Sequence, residues 1–163
     1  MPLLAATAYD YSLALHITAV VVGFGTTFAE SIVFPVAMKM DKRHLPYVHR
    51  LQRVINTWFA LPALAVVLAT GFFQVADRDW DLGDAWLSIS LALVALIAIV
   101  NVAYFIPEDR KLEPMVARDL GPAGDGELSA EYEARARREG ILGALTGIAL
   151  VVIIFLMVTK PGV

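Results

Sequence analysis

His16 is the one histidine inside a long apolar run; His44 and His49 lie among basic residues. An imidazole surrounded by apolar helix has three uses. It can hold haem iron as an axial ligand, relay protons, or stay neutral and hydrogen-bond a hydroxyl on a neighbouring helix. Other polar residues interrupt the apolar runs, and in a bilayer such residues are costly and often functional. A rise of about 1.5 Å per residue sorts them into two depths. The outer layer holds His16, Thr70, Gln74, Ser88, Ser90 and Met157. Thr70 or Ser90 would bond a neutral His16. Met157 would complete a His/Met axial pair, or would fill the core. The inner layer holds Glu30, Asn56, Asn101 and Thr146. A carboxylate flanked by two amides describes a proton or cation site. The alternative is a Glu30 solvated at headgroup level and paired with Arg53 or Lys39. His16 and Glu30 are about four helical turns apart, so they share one face of their helix.

The elements that carry these residues are four apolar stretches, at 11–29, 54–76, 85–107 and 140–159. None contains Asp, Glu, Lys or Arg. Each is long enough to cross a hydrocarbon core, which takes about 20 residues of helix. Soluble helices need a polar stripe. The chain therefore reads as an all-α, four-transmembrane-helix bundle in a single domain over residues 1–163, with the lipid bilayer as its surroundings. Spans are expected at about 10–36, 50–76, 85–107 and 138–160, and basic loops at 37–49 and 108–137.

Lys and Arg set the expected orientation. Lys39, Lys42, Arg43, Arg50 and Arg53 lie between the first two spans, and Arg110, Lys111, Arg118, Arg135, Arg137 and Arg138 between the last two. Only Arg78 and Lys160 lie on the other side, beside Asp77, Asp79, Asp81 and Asp84. Both basic loops are expected in the cytoplasm and both termini outside, in a bacterial plasma membrane. No Lys or Arg precedes Lys39, so the first span lacks the basic start of a cleaved signal peptide and is expected to stay in the protein.

Composition narrows the chemistry. The chain has no Cys, which removes disulfides, thiolate metal sites and cysteine nucleophiles. No phosphate-binding loop or HExxH pattern occurs, and no basic patch with interleaved aromatics suggests nucleic acid. No catalytic residue and no metal site is assigned; His44 and His49 read as surface residues. The third helix is expected to end near Pro107. Residues 130–139 read as a solvated helix capped by Ser129, with Glu131 and Arg135 in the favourable i, i+4 order. Gly143 and Gly147 form a GxxxG pair, which suits close packing in the bundle or a homo-oligomer.

Several short motifs carry a resemblance. They are Leu15-His16-Ile17 and Phe34-Pro35, then Leu61-Pro62-Ala63 followed by Gly71, then Trp86-Leu87 and Lys160-Pro161. Together they resemble the HemJ-type protoporphyrinogen oxidases and the copper-resistance-D-like membrane proteins. They look closest to a branch of uncharacterised predicted integral membrane proteins in that neighbourhood. In the HemJ-type group the first-span His is linked to haem b, and a Lys follows the Trp-Leu that opens span three. His16 matches the first feature. The Lys position falls on or near Ser90, and span three holds no Lys. The resemblance implies haem b or porphyrin association through His16, with a redox-related role, more than it implies the oxidase reaction. The other readings are a structural or accessory membrane subunit and a small proton or cation pathway through Glu30, Asn56 and Asn101.

Overall fold

The computed structural model describes residues 6–162. Four helices carry the chain: α1 Ala8–Lys39, α2 Lys42–Asp77, α3 Ala85–Leu120 and α4 Ala130–Thr159. All four are long and apolar enough to span a membrane, and no strand occurs among the described residues. Thr7 and Asp10 close a reciprocal capping box at the start of α1. Asp41 and Pro46 restart the chain as α2. Ser129 caps α4, and Lys160 ends it in the left-handed conformation at φ 41°.

Large apolar side chains cover the outside. Ile17, Val21, Trp58, Leu96, Ile148 and Phe155 are all exposed, as expected of a surface solvated by lipid rather than water. Within the apolar section α1 packs along residues 61–77 of α2, and residues 85–100 of α3 pack along α4. Val94, Ile97, Leu150 and Ile153 form the core between α3 and α4. A second core lies at the basic end, where residues 45–55 of α2 pack on residues 106–120 of α3. Ala37, Leu45, Val48, Leu112, Val116, Leu120, Tyr132 and Ala136 fill it.

The third helix does not end at Pro107. It widens into a π-helical turn over Asn101–Phe105 and continues to Leu120. The second helix does the same over Asn56–Ala60, ahead of Pro62. Proline has no N–H to donate, and its ring crowds the carbonyl four residues back. A π turn displaces that carbonyl: Leu61 N–H reaches the Asn56 carbonyl, and Ile106 N–H reaches the Asn101 carbonyl. The sequence repeats itself here, as Asn56 to Pro62 and Asn101 to Pro107. The two asparagines meet: Asn101 Nδ2 donates to Asn56 Oδ1 at 2.8 Å, with both residues buried. Asn101→Leu is expected to destabilise the bundle by about 1–3 kcal/mol, because it strands the Asn56 carbonyl. Restoring part of that loss with the double variant Asn56→Leu/Asn101→Leu, followed by thermal unfolding in detergent, would show that the pair acts as a unit.

Residues 108–137, expected as a loop with a helix only from Ser129 onward, are helical over 108–120 as well. The helical part of α3 runs to Leu120, and only a short turn separates it from α4. Gly121 opens that turn at φ 64°, a conformation L side chains disfavour. Asp119 accepts hydrogen bonds from the Ser129 hydroxyl, from Ser129 N–H and from Arg118. These bonds hold its carboxyl down, at about 2. Residues 130–139 are not a solvated face: Tyr132, Ala136 and Glu139 are buried. The i, i+4 pair of Glu131 and Arg135 forms at 3.1 Å, but Arg135 also reaches inward to Glu108 at 2.8 Å.

Candidate functional site

A cavity of about 610 Å³ runs between the helices from Tyr9, Trp80 and Lys160 at the acidic end to Glu30, Gln52 and Glu139 at the basic end. All four helices line it. Residues 61–77 and 85–100 make few direct contacts, and both segments contribute to its lining. Its walls are mainly apolar, with His16, Gln74 and Met157 in the outer half and Asn56, Asn101 and Thr146 further in.

His16 stands on the α1 wall. Its Nδ1 lies 2.8 Å from Thr70 Oγ1, and Thr70 donates its single hydroxyl proton to the Val66 carbonyl at 2.6 Å. With that proton given to Val66, Thr70 is free to accept from His16, an arrangement that would put the imidazole proton on Nδ1. Nε2 has no hydrogen-bond partner among the described residues. The ring packs beside Gly71 of α2, where even a Cβ would meet His16 Cε1 at an ordinary contact distance of 3.5 Å. Gln74 reaches Ser12 at 3.5 Å. Ser90 does not approach His16; it is buried and donates to the Trp86 carbonyl of its own helix at 2.6 Å. Met157 lines the cavity from α4. At the acidic end Lys160 Nζ sits 3.9 Å above the Trp80 ring.

At the basic end Glu30 lines the cavity and lies against Asn56. Glu30 Oε1 is buried and has no hydrogen-bond partner. Glu30 forms no salt bridge with Lys39 or Arg53 among the described residues; Arg53 instead binds Glu113 at 3.0 Å. Thr146 donates to the Leu142 carbonyl of its own helix. Gly143 and Gly147 do not bring helices together within the chain, since a Cβ at either would meet nothing within 4 Å.

The largest departure from the sequence reading is His49. It is not a surface residue but wholly buried. Nδ1 lies 3.0 Å from Asp109 Oδ1, and Nε2 lies 2.9 Å from the Tyr132 hydroxyl. Asp109 is also wholly buried, and Glu139 is 8% exposed. Both His49 and Asp109 stand beyond the expected spans. Burial pushes the Asp109 carboxyl above its ordinary range and the His49 imidazole below its own. Both shifts favour the uncharged partners. A signal for this cluster was present in the spacing. Leu45, Val48, His49 and Gln52 lie on one helix face, as do Asp109, Leu112 and Val116, and Tyr132, Ala136 and Glu139.

Neither the curated proteins nor the solved structures provide a match. A family described as predicted integral membrane protein (DUF2269) matches residues 11–161. Four apolar membrane-length helices agree with that description, and the chain belongs to this family of integral membrane proteins.

Proposed function

We propose that the protein binds haem b or a related porphyrin inside the membrane, with His16 Nε2 as the donor to the metal and a redox-related role. One observation carries the reading. His16 lines a cavity of about 610 Å³, and Thr70, which can give its own proton to Val66, can hold the His16 proton on Nδ1 and so leave Nε2 free to bind a metal. Metal-bound histidines characteristically give their other N–H to a fixed acceptor. The volume falls within the range of about 300–1,000 Å³ typical of cofactor sites. Met157 lines the same cavity and would supply the second axial ligand. Lys160 at the acidic end would meet the carboxylates of a porphyrin edge. The resemblance of the first-span motif around His16 to HemJ-type proteins agrees with this assignment. The test is the visible spectrum of the protein purified from cells supplied with haem precursors. A Soret band is expected; a colourless protein would overturn the reading.

A second reading is a proton or cation pathway using Glu30, Asn56 and Asn101. Its support is the partnerless Glu30 oxygen on the wall of a cavity that spans both layers. Glu30→Gln would abolish such transport in vesicles, whereas a purely haem-binding protein would keep its spectrum. A structural subunit that packs against further copies through Gly143 and Gly147 is the remaining reading.

Orientation has its own test. The basic residues gather at one end, so that end is proposed to face the cytoplasm, with both termini outside. Arg43→Cys and Asp81→Cys, made singly in this Cys-free chain, report on opposite ends. An impermeant thiol reagent applied to intact cells is expected to label Asp81→Cys alone. Labelling of Arg43→Cys alone would invert the topology.

A further inference from the structure

The cluster at the basic end has the composition of a metal site and lacks the partners of a salt-bridge network. His49, Asp109 and Glu139 each place a ligand atom within 4.8 Å of the other two. They come from α2, α3 and α4, so the packed cap holds them together rather than a flexible loop. Glu30, on α1, lines the adjoining cavity wall with a buried oxygen that has no hydrogen-bond partner. Asp109 is wholly buried, and its Oδ2 receives no hydrogen bond from an N–H or hydroxyl group of the described residues; the carboxyl of Glu139 is its neighbour. The nearby arginines are taken: Arg53 by Glu113, and Arg135 by Glu108 and Glu131. Asp109 and Glu139 thus share a buried space with His49 as their basic neighbour and, among the described residues, without a Lys or Arg bonded to either. Buried carboxylates need a counter-charge, a proton or a cation.

We propose that His49, Asp109 and Glu139 bind one divalent transition-metal ion of the Zn²⁺, Mn²⁺ or Fe²⁺ type. One imidazole with carboxylate oxygens suits these borderline ions, whereas the absence of thiolate disfavours Cu⁺ and the imidazole disfavours Mg²⁺ and Ca²⁺. The surroundings of His49 fit this role. Its Nε2 lies against the Tyr132 hydroxyl, an outer partner that would hold the ring with Nδ1 toward the carboxylates. Glu30 and Glu139 also form part of the cavity wall, which gives an ion a route inward. This site is separate from His16. Glu30, on the adjoining cavity wall, lies about 21 Å further along α1, at about 1.5 Å per residue, and the proposal does not depend on haem.

The experiment uses the full chain without a histidine tag, purified in detergent and stripped with a chelator. Zn²⁺ is titrated by calorimetry, and Co²⁺ is added separately as a spectroscopic probe. The wild type is expected to take up one equivalent of Zn²⁺. Asp109→Asn and Glu139→Gln, which keep side-chain shape, are expected to weaken binding tenfold or more. His44→Gln, at an exposed histidine, is expected to leave it unchanged. X-ray absorption of the Zn²⁺-loaded wild type, which needs no variant to fold, is expected to show one imidazole among oxygen donors. Wild-type binding no tighter than that of Asp109→Asn, or a Zn²⁺ spectrum without imidazole, would overturn the site and leave the acids sharing protons.

Discussion

His16→Ala is expected to abolish the Soret absorbance of the purified protein while leaving the bundle folded and extractable. The size of the effect follows from the site. His16 is the one histidine lining the cavity. No thiolate can replace it, because the chain has no Cys. Thr70→Val separates orientation from ligation. Valine keeps the shape of threonine but removes the acceptor that holds the Nδ1 proton. Loss of such an outer partner costs about 10–100-fold in metal affinity, so Thr70→Val should retain a weakened Soret band. Met157→Leu asks a different question. A Met axial ligand raises the potential of haem iron, so its loss should lower the midpoint potential without removing the haem. An unchanged Soret band in His16→Ala would end the haem assignment at this residue.

Leu112→Ala is expected to destabilise the protein by about 2–5 kcal/mol, the range for removing a buried leucine in a water-facing core. Leu112 has no exposed surface and packs among Leu45, Val48, Val116 and Tyr132. Leu150→Ala supplies the comparison. Leu150 is equally buried, but it packs between α3 and α4 in the apolar section. Lipid is as apolar as leucine, so burial there gains packing without a transfer free energy from water. Leu150→Ala should therefore cost less than Leu112→Ala when unfolding is followed in mixed micelles. The same measurement tests the environment of the cap. If Leu150→Ala proves the more damaging, the basic end does not stand in water. Because the Leu112 core holds α2, α3 and α4 together around His49, Asp109 and Glu139, Leu112→Ala should also expose His49 to solvent.

The sequence by itself determined the features that depend on composition along the chain. Uncharged apolar runs of membrane length become spanning helices, because a backbone in lipid must satisfy its own hydrogen bonds. Fixed helical rise then gives depth, which is why two pairs placed at one level meet while Ser90 and Thr146 bond only their own helices. His16 finds Thr70, and Asn101 finds Asn56. Tertiary structure decided the rest. Pro107 reads as a helix end in one dimension, yet a π turn starting at Asn101 carries the helix on to Leu120. That continuation places Asp109 opposite His49 and buries a stretch whose charges read as solvated. Along the sequence, Arg135 pairs with Glu131 on an exposed face; in the fold it also turns inward to Glu108, and Glu139 follows the buried side of the helix. Amphipathic spacing marks which face of each helix is available for burial. Only the packing of α2, α3 and α4 against one another brings an imidazole and two carboxylates to one place, because residues 60 and 90 positions apart share no local interaction.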